Sequence, residues 1–489
     1  MGPVDDLQNE EQNQIHNESV NKIMTQSAFS MLNLEIIPTF VAQFAYVLHQ
    51  FVSMHFQYNL IFNKDPVMFA IIYGGTSITQ AFSAGTWMLF SQQASEALFN
   101  KKEERATYLN HLSFKISLFW TIVGFIVFYP IDHFLVNLYN IPSQLWFQYY
   151  ITIALSMPIQ TFFEGQMLRY AAEGRKTVAA SLSIFYSIIF ITIESLGYLF
   201  STATSTWPTG LSYILTGLTL IVWTCLWNFG LSIFGAKNNQ VILTNWKEIV
   251  SFKGFKGYFK DLFNILSLSS TLTLLKMCFG VAVLLAATQV QSQPDSFQQG
   301  QLLLVFSYFG QVFRIVSISL SQFFTRYTLI CISGKQHKRL NEIIMKSIIL
   351  GLVLTCITVV LFLYVPIIQT FVPLTADTAS VSQAILFSGI GGFCQIFAEI
   401  ALCLALAHQH YIIIGGIGVL NMAGIVATSF IYQIFQGQTG NFFNIPFWGE
   451  IYGGVSGLVV IVCYYISFHI KAKKENQDEN KNKKAKKVK

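Results

Sequence analysis

The chain is 489 residues long, 53% hydrophobic and only 11% charged, with a mean hydropathy of +0.50. A soluble domain carries about 25% charged residues, so a water-coated globule is excluded and lipid is the expected solvent for most of the surface. The net charge of +6 resides in residues 471–489, where nine lysines face three acids; the rest has 21 basic and 21 acidic residues (30 − 9 and 24 − 3), which leaves no basic surface for nucleic acid.

Residues 1–25 are polar and are expected to be a disordered cytoplasmic N-terminus. Apolar runs then follow near 27–56, 67–95, 107–129, 145–168, 177–200, 209–235, 259–290, 299–331, 343–372, 380–406, 411–436 and 447–470. Each approaches or exceeds the roughly 20 residues that cross a bilayer as a helix. None alternates as a barrel strand would, so an all-α polytopic membrane protein with about twelve spans is expected. Pro38 and Pro158 fall inside runs and predict kinks. The runs divide into a bundle of six helices over 26–235 and a second over 259–470. The segment 236–258 joins them; its mix of Trp246, Phe252 and Phe255 with lysines fits a helix on the membrane interface as well as a plain cytoplasmic linker. Residues 471–489 form a basic cytoplasmic tail, disordered by composition, that can meet anionic lipid.

Every second connection is basic, with Lys101, Lys102 and Arg105, then Arg169, Arg175 and Lys176, then Lys237, Lys247, Lys253, Lys256 and Lys260, then Lys335, Lys338 and Arg339. The connections between them carry only Lys64. Cytoplasmic loops concentrate Lys and Arg, so this alternation predicts both termini in the cytoplasm. An internal repeat runs in step with it. At an offset of 234, Phe90, Lys101 and Arg105 meet Phe324, Lys335 and Arg339; at 235, Phe162 and Glu164 meet Phe397 and Glu399. A six-span repeat keeps its orientation, so the halves should be related by an axis along the membrane normal with a cleft between them.

Several segments carry a resemblance. IPTFVAQFAYVLHQFVSMHF has an early proline, Pro38; GGTSITQAFSAGTWMLFSQQASEALFNKKEERATYL is a small-residue helix ending in a basic loop; LRYAAEGRKTVAASLSIF places Gly174; and SISLSQFFTRYTLICISGKQHKRLNEII repeats the second pattern with Gly334. In this order the chain resembles a divergent, eukaryotic-type member of the multidrug and toxic compound extrusion (MATE) family over nearly all of 30–470. The resemblance implies two pseudo-symmetric six-helix bundles, alternating access, and antiport of organic cations against a proton or sodium gradient, with no other cofactor. It also implies a monomer in the plasma membrane or an endomembrane. The sequence departs from the family at Ser53, near where many prokaryotic members carry an aspartate. A second departure is the seventh helix, which has no acid and places Lys276 at or beside a family glutamate.

Ionisable groups within a membrane are costly and mark function by default. Candidates for binding substrate or ion are Glu194 and Glu399, deep in the fifth and tenth helices, and Glu35, which equally suits a cap near the inner end of the first. Glu164, near the inner end of the fourth helix, could instead pair with Arg169. Lys276 is expected to pair with Glu194 or Glu399 across the cleft, and Arg314 to pair with one of the acids. Gln43, His49, Gln50 and Gln80 offer hydrogen bonds from the first two helices. No phosphate-binding loop, catalytic triad or metal-ligand spacing occurs among the motifs or the seven cysteines, so neither an enzyme nor a metal protein is expected. A lipid or lipid-linked-sugar flippase and a non-transporting membrane scaffold are the alternative readings.

Overall fold

Apolar segments of this length have one way to satisfy every backbone N–H and C=O in lipid without a partner strand, which is to form a helix. The computed structural model describes residues 27–61, 64–138, 143–200, 207–228, 242, 255–435 and 442–487, and among them it contains no strand. Twelve long helices follow one another: α1 (Ala28–Phe56), α2 (Pro66–Phe99), α3 (Glu103–Leu138), α4 (Ser143–Ala172), α5 (Lys176–Phe200), α6 (Trp207–Asn228), α7 (Phe255–Gln291), α8 (Ser296–Ser333), α9 (His337–Phe362), α10 (Thr378–Ala407), α11 (Tyr411–Phe435) and α12 (Ile445–Lys487). Eight of the described helices are long and apolar enough on their own to cross a membrane. Large apolar side chains such as Ile188, Leu199, Val360, Val419 and Ile434 stand exposed on the outer helices, where an aqueous protein would not leave them in such number. The protein is an integral, multi-pass membrane protein.

The two halves share one design. Each packed helix pair of the first half (α1 with α5, α2 with α3 and α4, α4 with α3, α5 and α6, α5 with α6) has its counterpart six helices later. The turns repeat as well. Lys101, Gly174, Lys335 and Gln409 all adopt φ between 55° and 79°. Around each, an N–H reaches back five residues to close the helix: Lys102 to Ala97, Arg175 to Tyr170, Gln336 to Cys331 and His410 to Ala405, all at 2.8 Å. This is the left-handed helix ending that satisfies the last carbonyls of a helix. Lys101 and Lys335 are 234 apart, and Gly174 and Gln409 are 235 apart, the two offsets at which the sequence repeats. All four turns lie at the end of the bundle that carries the basic connections, termed the basic face below; the other end is the neutral face.

The halves meet mainly where α2 lies along α7 and α8 lies against α1 and α2. Small residues set the first of these seams, as is usual between membrane helices. A Cβ on Gly280 would stand 2.9 Å from Ile78 N, and one on Gly85 2.7 Å from the Ser269 carbonyl oxygen. At 1.5 Å per residue, the contact runs about 16 Å from Gly74 to Gly85.

Three expectations change. The predicted run 343–372 is broken after Phe362, because Pro366 cannot continue a helix and instead opens a short one, Pro366–Phe371. The tail, expected to be disordered, continues α12 as helix to Lys487; its Lys, Glu and Gln are good helix formers. α8 is interrupted by a π-helical turn at Val305–Phe309, which hydropathy does not report. The N-terminal 1–25 and all of 236–254 except Ile242 lie outside the described residues.

Candidate substrate cleft

The functional groups collect at two places, a cleft between the halves and a pocket inside the first half. The cleft has a volume of about 330 Å³. Its walls are α1 (Gln43, Tyr46, Gln50), α4 (Phe163, Glu164, Met167), α7 (Lys276, Phe279) and α8 (Gln311, Arg314, Ile318), with Tyr73 and Met88 from α2. Contacts between the halves flank it toward both ends. Toward the neutral face, Tyr308 donates its hydroxyl hydrogen to the Gln50 carbonyl at 2.7 Å, and the His55 and Asn59 side chains reach the Phe371 carbonyl at 2.7 and 3.5 Å. Toward the basic face, Arg105 of α3 pairs with Asp261 of α7 at 2.9 Å. There the Arg326 guanidinium of α8 also rests against Gly174, where any Cβ would fall 2.0 Å from Nη1. Gly174 therefore serves twice, in its positive φ and in this close approach.

Beside the α7–α8 wall lies a second, smaller cavity of about 180 Å³, lined by α7, α8, α10, α11 and α12. Lys276, Phe279, Arg314 and Ile318 line both cavities. Each cation is held from the far side: Lys276 Nζ by Glu399 Oε1, and Arg314 Nε by Glu450 Oε1 at 2.5 Å. Arg314 also donates through Nη1 to the Ser307 carbonyl at 3.1 Å and lies 3.7 Å over the Phe279 ring, a desolvated cation–π contact. The Ser307 carbonyl sits in the π turn that interrupts α8. Glu399 and Glu450 are 6% and 3% exposed, and charges so buried persist only when paired.

Glu194 is placed differently. It is fully buried in the first half. Its Oε1 accepts from Ser53 Oγ of α1 at 2.8 Å and from Thr209 Oγ1 of α6 at 2.6 Å. Gln57 in turn donates to Ser53 at 3.0 Å, and Thr209 shares a hydrogen bond with Tyr198 at 2.9 Å. No Lys or Arg pairs with Glu194 among the described residues. Between it and the cleft stand Tyr46 and His49, packed with Tyr186 and Phe190 at ring separations of 4.7–6.1 Å.

The sequence candidates therefore separate. Lys276 and Glu399 come together as expected, and Glu194 stands apart from both. Gln43, Gln50 and Glu164 line the cleft. Glu164 does not pair with Arg169, which turns to Glu173 at 4.0 Å; α4 points residue 164 into the cleft, whereas Arg169 lies more than a turn nearer the basic face, beside Glu173 of the turn that follows α4. The Glu35 backbone lies in α1, but its side chain and that of Gln80 fall outside the described residues. Two partners escaped the sequence reading. Glu450 sits in the second turn of α12, at the edge of its apolar run, and Thr209 is one hydroxyl in an apolar helix. Neither carries a signal of its own until a neighbour is in place.

Among solved structures, the chain matches an outward-facing multidrug resistance MATE family transporter of the MOP superfamily with a TM-score of 0.68 and 12% identity, over 92% of this chain and 98% of that one. It matches a point mutant of the Vibrio cholerae MATE transporter VcmN at 0.67 and 13%, over 91% and 98%. The chain has the MATE fold. A MOP superfamily transporter from Pyrococcus furiosus also matches, at 0.70 and 12%, over 92% and 98%, and its binding pocket is described as reversed in polarity, suggesting a different function. No protein-family model and no curated protein sequence matches the chain. In MATE-fold terms, the cleft lies between the two six-helix lobes, Glu194 in the N-terminal lobe and the two ion pairs in the C-terminal lobe.

Proposed function

We propose that the protein is a secondary active transporter that moves a small amphiphilic organic compound by alternating access, driven by exchange of a proton or sodium ion at Glu194. The observation that carries this reading is the fully buried Glu194 carboxyl, held by two hydroxyls and by no cationic side chain. An unpaired carboxylate in so dry a place costs several kcal/mol, so a proton or small cation must accompany it whenever the site is closed. Opening the lobe would release that ion. Glu399 and Glu450 are poorer carriers, because Lys276 and Arg314 already occupy the place of an exchangeable ion.

The cleft combines apolar side chains such as Val47, Phe163, Met167 and Phe279 with a few convergent polar groups, as ligand sites usually do. A volume of about 330 Å³ is at the small end of ligand pockets and suits a compact amphiphile better than a lipid-linked sugar. A scaffold would have no use for charges lining an interior cleft. Transport into proteoliposomes under separately imposed proton and sodium gradients tests the reading. E194Q keeps the hydroxyl hydrogen bonds and the fold, and it is expected to abolish gradient-driven uptake. Unchanged gradient dependence in E194Q would overturn the assignment.

A further inference from the structure

We infer that the cleft binds an amphiphile with an oxyanion head group, a carboxylate or a phosphate, rather than an organic cation. The inference rests on the transporter reading and names the substrate class of the same cleft. Its basis is the way the four buried charges of the C-terminal lobe are sorted. Lys276 and Arg314 line both the cleft and the smaller cavity, whereas Glu399 and Glu450 line only the smaller one. Each cation is thus anchored from behind and presented in front. Two cations and one acid, Glu164, face the cleft, and the wall is cationic by one when all three are ionised.

The donors of the two cations are not exhausted. Arg314 is 7% exposed, and its Nη2 is buried without a partner. The Lys276 ammonium has three donors, and its side chain, which lines the cleft, is 25% exposed. A buried, unsatisfied guanidinium N–H costs free energy, and an oxyanion satisfies it with a charge-assisted bond. A cationic head would instead meet two positive charges, with Glu164 as the one acid in the wall. Gln43, Gln50 and Gln311 can complete the head-group contacts, while Tyr46, Phe163, Met167 and Phe279 receive an apolar body. The internal carboxylates stabilise the cations in the empty state, so that the site does not collapse between substrates.

The test uses the purified full chain in nanodiscs of neutral lipid and four naphthalene probes of similar size: 1-naphthoate, 1-naphthyl phosphate, 1-naphthylmethanol and 1-naphthylmethylammonium. Calorimetric binding is expected to favour at least one of the two anions over the alcohol and the ammonium by about tenfold or more, the effect of one charged hydrogen bond. The single variants K276Q and R314Q would each strand a buried carboxylate, so the paired variants K276Q/E399Q and R314Q/E450Q are the informative ones. Both pairs are expected to keep the fold and lose the anion preference. Repeating the titration with anionic phosphatidylglycerol in the nanodisc separates two sources of the head group: competition with the bound anion assigns it to lipid, and no competition assigns it to a free small molecule. Preference for the ammonium, no binding of any probe, or undiminished anion preference in both paired variants would overturn the proposal. Failure of the transport reading looks different, since anions would then bind but no probe would accumulate in vesicles under any gradient.

Discussion

At the scale of the residue, the protein is organised by how it compensates buried charge. Among the described residues, Glu173, Glu399, Glu450 and Glu194 have side chains nearly or wholly out of solvent; the first three have built-in cations while Glu194 has only hydroxyls. Breaking a buried pair by removing one member costs about 3–5 kcal/mol, whereas replacing both is often near neutral. K276Q alone should therefore lower the unfolding midpoint sharply, and K276Q/E399Q should recover most of it. Additive losses in that double-mutant cycle would show that the two side chains do not interact. At Glu194 the expected pattern is the reverse. T209V removes a donor from a buried acceptor and should cost about 1–3 kcal/mol, while E194Q should leave thermal stability nearly unchanged. The sequence made much of this legible. The intramembrane acids and Lys276 stand out against apolar surroundings because each is expensive there. Which acid meets which base was not legible, because it depends on how helices 120 or more residues apart are rotated against one another, as with Arg314 and Glu450.

At the scale of the element, the seams and turns carry the account. The α2–α7 seam depends on glycines that admit no side chain. G85A would press a methyl group against the α7 backbone, and overpacking of this kind costs about 1–3 kcal/mol; a thermal midpoint unchanged by G85A would show that the helices can separate freely. The turn after α10 predicts a pH dependence. His408 stacks on Tyr464 and Phe468 at 4.9 and 5.4 Å. Burial first, and then the charges of His410, Lys471 and His337, hold its imidazole below the ordinary 6.5. The folded state thus resists protonation at His408. Its contribution to stability is present above pH 6.5 and is lost as the pH falls toward the depressed value. Melting curves from pH 7.5 to 5 should show this loss, reduced in H408Q; a slope of the opposite sign would contradict the assignment. The helices themselves were readable from hydropathy. The left-handed turns at Lys101 and Gln409 were not, because neither residue announces positive φ as glycine does at Gly174. Their positions nevertheless fall on the 234 and 235 offsets of the sequence repeat.

At the scale of the molecule, two lobes of one design meet along the α2–α7 seam and the α8 contacts, with further contacts between them toward each end of the cleft. Such an arrangement can rock about its middle, opening one face as it seals the other. The contacts that must break differ by face. On the basic face they are the Arg105–Asp261 pair and the Arg326 contact with Gly174; on the neutral face they are the bonds from His55 and Asn59 to Phe371. The sequence anticipated the two halves and the cleft, because hydropathy and loop charge repeat in step. It did not anticipate that two cations would line the cleft with their carboxylates behind them, since the cations lie on α7 and α8 and the acids on α10 and α12, and only packing brings them together. The most direct measurement of the central claim is a pair of spin-label distances in a cysteine-free background. One pair, Lys102→Cys with Asn264→Cys, spans the lobes at the basic face; the other, Lys64→Cys with Thr370→Cys, spans them at the neutral face. As the pH is stepped and an anionic probe is added, one distance should lengthen while the other shortens. Two distances that stay fixed under every condition, or that lengthen together, would contradict an alternating-access transporter.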